Sequence, residues 1–505
     1  MTILLSSLSI NFVFINQAYL NLQYHFMYLF FLGIGLLLIG YFTYGRVVEK
    51  IIAPDDRETP AIEKCDGVDY VVIPRWKNML IQLLNIAGVG PVIGVILGIK
   101  FGEIVFLIIP LGNIIAGATH DMLSGMMSIR ANGANLPKII RTNLGSWYSK
   151  FFSVFTILLL LLVVAVFINV PANLIDKAFP EFQIFWLSVV GIFLYYIIAT
   201  LFPVDKIIGK IYPFFGMMLL VGTFAVFLAI CWQLFENPTI LEESATFKQM
   251  KWTAENGHPI IPLLFVTIAC GIISGFHATQ SPIVARTMRS EKEARSTFYG
   301  MMVVEGLIAM IWAAAGLVVY NLLPEYFQKP PTDVLIYITQ YFLSSWMGPI
   351  TVLAVVILAI TSGDTAMRSM RLSLAEMLSI DQKPILNRIY ITLPLIVLIV
   401  GLLAWSQVSA KTFNNLWNYF AWGNQVLAAS TLSAAAVWLF RAKKNGYIAI
   451  VPAVFMIFIV LNYILWISPA HGGPVGFGLD LNLAYVIAAT ISIAIAVIIW
   501  KRGRK

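Results

Sequence analysis

The sequence predicts an all-α polytopic membrane protein with about thirteen transmembrane helices. Of the 505 residues, 59% are hydrophobic and only 11% are charged, whereas soluble domains carry roughly 25% charged residues. The hydrophobic residues are also gathered into runs of about 20, the length that crosses a hydrocarbon core of roughly 30 Å. A soluble chain of this size could not bury so much apolar surface, so we expect lipid to solvate it.

The apolar runs divide the chain into about thirteen predicted spans. No connection between them is long enough for a soluble catalytic domain, and the sequence contains no GxxxxGK[ST], HExxH or GxSxG motif. An ion gradient, rather than ATP, is therefore the expected energy source. The spans lie near 22–44, 81–99, 103–128, 151–170, 184–202, 211–234, 262–281, 298–323, 349–368, 388–406, 417–440, 447–467 and 482–500.

The placement of Lys and Arg predicts the orientation. With these spans, 27 of the 33 basic residues fall on one face of the membrane and six fall on the other. The basic residues lie between apolar runs rather than in one patch, so they indicate topology and not nucleic-acid binding. Because basic loops stay inside, we expect the N-terminus outside and the C-terminus in the cytoplasm of a cell (inner) membrane protein.

Clusters of glycine and proline interrupt two of the predicted spans. In the second span the candidate site residues are Gly88, Val89, Gly90 and Pro91. In the seventh span, the segment Gly275–Pro282 supplies Gly275, Phe276, His277, Thr279, Gln280 and Ser281. Freed main-chain groups at such interruptions can bind a carboxylate, an ammonium group or a cation. Tight helix packing through small residues is the alternative explanation.

The two interrupted spans each open a set of five spans, 81–234 and 262–440. Because five is an odd number, the second set enters the membrane from the opposite side to the first. This arrangement predicts an inverted repeat, with the substrate site of a transporter between its halves. The helix 22–44 and the two helices in 447–500 are accessory in this scheme.

Ionisable residues within spans are costly and therefore mark functional candidates. His120 and Asp121 lie in the third span, where neighbours point about 100° apart and need not contact each other. Both are candidates for substrate contact or proton handling, as is His277; an interhelical hydrogen bond is the alternative for the first two. Glu305 is a candidate proton carrier, or lies near the interface beside Arg295.

The tenth span ends in a group of oxygen-bearing side chains. Thr361, Ser362, Asp364 and Thr365 offer the hard oxygen ligands that a small cation prefers. We therefore expect them to bind a coupling cation. The alternative is that Asp364 pairs with Arg368, four residues later.

Four motifs, taken together, resemble the carbon starvation protein A (CstA) family. They are residues 86–91, 117–121, 275–282 and 364–368, and they occur in this order. The family contains peptide transporters induced in carbon starvation and relatives that take up pyruvate. It is grouped with the amino acid–polyamine–organocation transporters, so the resemblance implies a LeuT-like core of five-plus-five inverted repeats. One departure stands out: many relatives carry Gly-His-His-Phe where this chain has Leu80-Ile81-Gln82-Leu83.

The prediction is a secondary transporter that imports short peptides by alternating access. It needs no cofactor beyond a coupling cation, H⁺ or Na⁺. Uptake of pyruvate or another small carboxylate is the first alternative, because freed main-chain dipoles suit a carboxylate equally well. An intramembrane enzyme using His120, Asp121 and His277, or a channel, are the alternatives from other classes. The predicted partners are the small-molecule substrate and membrane lipid, without nucleic acid.

Overall fold

The computed structural model describes residues 25–201 and 204–504, and every regular element within them is a helix. The predicted ends of the first and fifth spans, at residues 22 and 202, lie outside the described residues. The α-helices are α1 His25–Phe42, α2 Tyr44–Ile52, α3 Pro60–Glu63, α4 Arg75–Ile86, α5 Val95–Gly98, α6 Val105–Gly112, α7 Ala118–Arg130, α8 Leu136–Leu144, α9 Ser146–Ala178, α10 Phe185–Leu201, α11 Val204–Glu236, α12 Ala245–Met250, α13 Phe265–Thr267, α14 Ala269–Ile272, α15 Gly275–Ala285, α16 Gly300–Leu322, α17 Pro331–Phe342, α18 Met347–Leu378, α19 Ile385–Ser406, α20 Ala410–Arg441, α21 Tyr447–Trp466 and α22 Leu481–Gly503.

Wider and tighter turns join several of these helices. The π-helical segments are Gly90–Gly94, Asn113–Gly117, Ile260–Leu264 and Arg295–Tyr299, and the 3₁₀ segments are Ile99–Phe101, Glu291–Glu293, Pro324–Gln328 and Pro469–His471.

Each of the thirteen predicted spans coincides with helical structure, which confirms a multi-pass helical membrane protein. Within the described ranges, nine helices are long and apolar enough to cross a membrane alone, and a tenth span is the bent pair Arg75–Ile86 and Gly90–Phe101. The remaining three predicted spans miss this criterion for different reasons. Helix α10 has only 17 residues, α20 carries polar residues such as Asn424 and Gln425, and the seventh span is divided into short pieces.

The centre of the molecule is formed by a few helices that are buried almost all round. In the span Glu291–Leu322, 83% of the most apolar window is buried inside the protein, and in Met347–Leu378 the share is 78%. The corresponding share is only 28% in His25–Ile52 and 22% in Leu481–Gly503. These outer helices therefore present most of their apolar side chains to lipid, whereas α16 and α18 surround the interior.

Candidate functional site

The helix of the second span is interrupted at residues 87–89, here called the first break. Helix α4 ends when the Ala87 amide donates to Leu83 O at 2.8 Å, and the Gly88 amide turns back to Ile86 O at 2.7 Å. Pro91 has no amide hydrogen, so the main-chain hydrogen bonds of a straight α-helix cannot continue through it. The two halves meet at an angle of 55°. The predicted interruption at Gly88–Pro91 is thus confirmed.

The second break lies at Ile273 and Ser274, whose main chain is extended with ψ of 126° and 120°. The segment predicted to be interrupted, Gly275–Pro282, is instead helical and forms most of α15. The break falls earlier because the side chain of Asn424 on α20 replaces the missing helical acceptor. Its Oδ1 accepts from the Phe276 amide at 2.6 Å and from Ser274 Oγ at 3.1 Å.

The two breaks pack closely against neighbouring helices. A Cβ built on Gly90 would lie 2.0 Å from Cys270 Cβ, so only glycine permits this contact between the two interrupted segments. A Cβ on Gly88 would lie 2.8 Å from the ring of Phe167. That ring also contacts Phe276 beside the second break, with 5.9 Å between centroids. The predicted site residues of both segments are therefore brought into one region.

Four ionisable side chains form a buried row next to the second break. His120 Nδ1 lies 2.8 Å from Asp121 Oδ1, although neighbouring residues point about 100° apart on a helix and need not contact each other. His277 Nδ1 lies 3.0 Å from Asp121 Oδ2, and His277 Nε2 lies 3.7 Å from Glu305 Oε2. All four residues are fully buried. Within the described ranges, no group of three or more His, Cys, Asp and Glu residues is arranged to hold a metal ion.

Several buried polar atoms of α4 and α15, two helices that pack against each other, have no hydrogen-bond partner among the described residues. In α4, both amide atoms of Gln82 and of Asn85 are unpartnered. In α15, the same holds for Gln280 Oε1 and His277 Nε2. Unpaired polar groups are expensive at membrane depth, so this concentration marks a place that a polar ligand or water would occupy.

The hydroxyl groups predicted in the same segment are satisfied within the protein. Thr279 Oγ1 donates to Phe276 O at 2.7 Å, and Ser281 Oγ donates to His277 O at 3.0 Å. Ser281 Oγ also lies 2.8 Å from Ser124 Oγ of α7. Of these two hydroxyl groups, only that of Ser281 links α15 to another helix. The unpartnered polar atoms of α15 are Gln280 Oε1 and His277 Nε2.

The residues predicted to bind a coupling cation point in different directions. Ser362 Oγ donates to Leu84 O at 3.0 Å, immediately before the first break. Asp364 Oδ2 accepts from the hydroxyl of Tyr195 on α10 at 3.3 Å. Residues two apart on a helix are separated by about 200°, which accounts for these opposite directions. Thr361 and Thr365 donate to main-chain oxygens of their own helix, α18.

A cavity of about 530 Å³ lies at the face predicted to be external. Polar side chains on its wall are linked to each other: Asn173 Nδ2 donates to Asn169 Oδ1 at 2.6 Å, and Asn169 Nδ2 donates to Ser406 Oγ at 3.2 Å. Lys177 pairs with Asp333 beside them. The lining residues are Ile93, Leu97, Asn169, Val170, Asn173, Lys177, Gln328, Lys329, Pro330, Pro331, Thr332, Ser406, Gln407, Ser409, Asn414 and Trp417.

An aromatic layer separates this cavity from the second break. Trp417 on the cavity wall contacts Phe420, with 5.8 Å between centroids, and Phe420 contacts Phe167 at 5.8 Å. Phe167 in turn contacts Phe276. The three phenylalanine residues are at most 3% exposed, so they form a buried aromatic layer between Trp417 on the cavity wall and the second break.

A buried cluster of charges lies at the face predicted to be cytoplasmic. Asp69 Oδ1 lies 3.4 Å from Arg368 Nη1 and 3.8 Å from Arg371 Nη2. Burial raises the pKa of Asp69, but the positive charges of Arg371, Arg368, Arg286 and Arg388 outweigh it, so the pKa lies below its usual value. Asp69 is therefore ionised at neutral pH and holds the segment before α4 against α18.

Sequence reasoning missed three residues of this region. Asn424 is 150 positions from Ser274, so nothing local indicated their contact. Gln82 and Asn85 could have been predicted from the sequence, because amide side chains one or two turns before a helix interruption are unusual inside a membrane span.

Comparison with known proteins identifies the relatives of the chain. A family model described as carbon starvation protein CstA matches residues 25–194, 179–335 and 332–462. A Haemophilus influenzae protein, described as an uncharacterized membrane protein, is 39% identical over 341 residues, which are 58% of this chain and 91% of that protein. The peptide transporter CstA of Bacillus subtilis is 23% identical over 574 aligned positions, covering 92% of this chain and 95% of the relative. The pyruvate/proton symporter BtsT of Escherichia coli is 24% identical over 364 positions, covering 60% of this chain and 50% of that protein.

Solved structures with the same fold are transporters. MhsT in complex with L-phenylalanine superposes with a TM-score of 0.57 at 12% identity, covering 86% of this chain and 99% of that one. The Eremococcus coleocola manganese transporter superposes with a TM-score of 0.54 at 14% identity, covering 87% and 99%. These identities show the fold alone, and they confirm the predicted LeuT-like architecture.

Proposed function

Because the chain belongs to the carbon starvation protein CstA family and is a secondary transporter, we propose that it imports short peptides by alternating access. The observation that carries this proposal is the size and chemistry of the external cavity. Its volume of about 530 Å³ falls in the range of roughly 300–1,000 Å³ that is usual for sites of drug-sized ligands. Pyruvate, with six non-hydrogen atoms, would fill little of it, whereas a dipeptide or tripeptide would fill much more.

The cavity wall offers groups that match a peptide main chain. Amide and hydroxyl side chains, such as Asn169, Asn173 and Gln407, both donate and accept hydrogen bonds, as peptide units do. We propose that this cavity is where the peptide enters, and that the two breaks bind it in the interior. There Gln82, Asn85 and Gln280 present unpartnered amide atoms to the ligand.

Alternating access follows from the closures on either side of the breaks. In the proposed cycle, movement of the aromatic layer of Phe167, Phe276 and Phe420 admits the peptide from outside. Separation of Asp69 from Arg368 and Arg371 then releases it to the cytoplasm. This assignment of faces uses the orientation predicted from basic residues, with the N-terminus outside and the C-terminus inside. A coupling cation supplies the driving force.

Pyruvate uptake is the second candidate function. It is favoured by the similarity to a pyruvate/proton symporter and by Lys177 and Lys329 on the cavity wall, since either cation could attract a carboxylate. Lys177, however, already pairs with Asp333, which leaves it less able to hold a second anion. We therefore place peptide uptake first.

Uptake by the purified protein in liposomes tests the proposal. We expect saturable uptake of labelled dialanine, driven by an imposed cation gradient, that unlabelled peptides inhibit and pyruvate does not. Pyruvate uptake without dialanine uptake would contradict the peptide proposal and support pyruvate uptake as the function. The variant His277→Ala should insert normally and lose most uptake, because the ring lies beside the second break.

A further inference from the structure

We propose that the coupling ion is the proton, and that Glu305 and His277 share the proton that crosses the membrane. This inference rests on the proposed function as a gradient-driven importer. It starts from the row His120, Asp121, His277 and Glu305, in which each member faces the next. Chains of acidic residues and histidines within membrane helices are a recurrent means of moving protons.

The geometry gives the two carboxylates different roles. The carboxylate of Asp121 contacts both imidazole rings, with His120 Nδ1 at 2.8 Å and His277 Nδ1 at 3.0 Å. A neutral imidazole that donates from Nδ1 presents an acceptor at Nε2. Asp121 is therefore a fixed negative charge held by two N–H donors, and His277 directs the lone pair of Nε2 towards Glu305.

The environment of Glu305 determines whether its carboxyl group is ionised or protonated. Both of its carboxyl oxygens are buried and have no hydrogen-bond partner within the described ranges. If Glu305 is ionised beside neutral His277, two negative charges remain in the interior and a lone pair faces a carboxylate. One added proton removes this conflict, whether it sits on Glu305 and faces Nε2 across 3.7 Å, or sits on Nε2 between the two carboxylates. His277 and Glu305 thus form a site for one exchangeable proton.

The surrounding helices contribute the other titratable groups that act on this site. His120 and Asp121 come from α7, His277 from α15, and the thiol of Cys270 from α14 lies within electrostatic range of Glu305. Cys270 Sγ itself accepts from Asn424 Nδ2 at 3.7 Å.

This chemistry suits a proton better than a sodium ion. Alkali and alkaline-earth cations are hard and prefer several oxygen ligands, but the oxygens of Asp121 already accept from two imidazoles and Glu305 faces a ring nitrogen. His277 is also only two residues after Gly275, at the start of α15. The charge of the His277–Glu305 pair therefore changes close to the point where the substrate is proposed to contact the second break.

Infrared difference spectroscopy tests the site without any substrate. Spectra of the full-length protein in lipid, recorded in acidic and alkaline buffer, should contain the carbonyl band of a buried protonated carboxyl group if Glu305 holds the proton, or the ring band of a buried imidazolium if His277 holds it. We expect Glu305→Gln, which has nearly the same shape, to remove this band. Glu325→Gln should keep it, because Glu325 is exposed in the turn Pro324–Gln328. If Glu305→Gln misfolds, Glu305→Asp should instead shift the band.

A transport measurement then tests coupling. With the membrane potential clamped at zero, one coupled proton supports about tenfold accumulation of labelled dialanine per unit of pH gradient. Exchange of dialanine across the membrane needs no gradient, so it reports substrate transport without coupling. In Glu305→Gln, the ratio of gradient-driven accumulation to exchange should fall by about tenfold per unit of pH gradient, whereas Glu325→Gln should keep the ratio of the parent protein. An unchanged ratio, or the absence of any band that depends on Glu305, would overturn the inference. If the band depends on Glu305 but no variant or parent moves dialanine, the peptide proposal fails and the proton site stands.

Discussion

Replacement of Gly275 by alanine tests the proposed role of the second break most sharply. A Cβ at this position would lie 2.2 Å from Ala428 N and 2.3 Å from Asn424 O, which are both main-chain atoms of α20. Ordinary contact begins at 3.4 Å, so the shortfall is about 1.2 Å. Because main chain cannot rotate away, α15 and α20 must separate.

The separation has a second cost at Asn424. If α20 moves by about 1.2 Å in this direction, the bond from the Phe276 amide to Asn424 Oδ1 lengthens from 2.6 Å to about 3.8 Å and is lost. Overpacking costs roughly 1–3 kcal/mol, and an unsatisfied buried amide costs roughly 1–3 kcal/mol. We therefore expect Gly275→Ala to lower the thermal stability in detergent and to reduce uptake by about tenfold or more.

The matched control is Gly401→Ala in α19. This glycine is also helical, but a Cβ added to it would meet nothing within 4 Å. Alanine is favoured over glycine in a helix by roughly 1 kcal/mol, so this variant should be at least as stable as the parent and transport normally. Equal stability and equal uptake of the two variants would refute the reasoning about the second break.

Three further predictions concern the supports of the site and its orientation. Asn424→Ala should leave the Phe276 amide unpaired and destabilise the protein by roughly 1–3 kcal/mol, with loss of uptake; normal uptake would contradict this role for the side chain. Asp69→Asn should destabilise the protein by roughly 3 kcal/mol, measured as a lower midpoint of thermal unfolding, because it removes the charge that binds Arg368 and Arg371 at the face predicted to be cytoplasmic. Since the pKa of Asp69 is lowered, its stabilisation is present above the unfolded pKa and disappears only as the pH falls through the lower folded pKa; a loss of this stabilisation near neutral pH would contradict the assignment. The exposed Cys65 should react with a membrane-impermeant maleimide in inside-out vesicles but not in intact cells, with Cys65→Ser as the control; the opposite pattern would reverse the predicted orientation.

The sequence predicted the fold well because the membrane imposes simple rules. Apolar length gave the spans, and glycine with Pro91 gave the first break where the structure has it. The second break was predicted a few residues too late, because its position depends on Asn424, which is distant in the sequence. A side-chain acceptor that replaces a helical one leaves no local pattern.

The sequence predicted which residues belong to the site better than it predicted which of them contact each other. His120, Asp121 and His277 were named as candidates, but their contacts depend on how α7 and α15 pack. Ser362 and Asp364 were grouped as one cation site because they are near in sequence, whereas α18 directs them to opposite sides. The roles of all these residues in transport stay predictions.

The central claim is that the two breaks hold a peptide between them. Electron cryo-microscopy of the protein in lipid nanodiscs, saturated with a dipeptide that carries iodophenylalanine, tests this claim most directly. We predict density for the peptide between the first break at residues 87–89 and the start of α15, within reach of Gln82 and His277. Density confined to the external cavity beside Trp417, or no density at a saturating concentration, would contradict it.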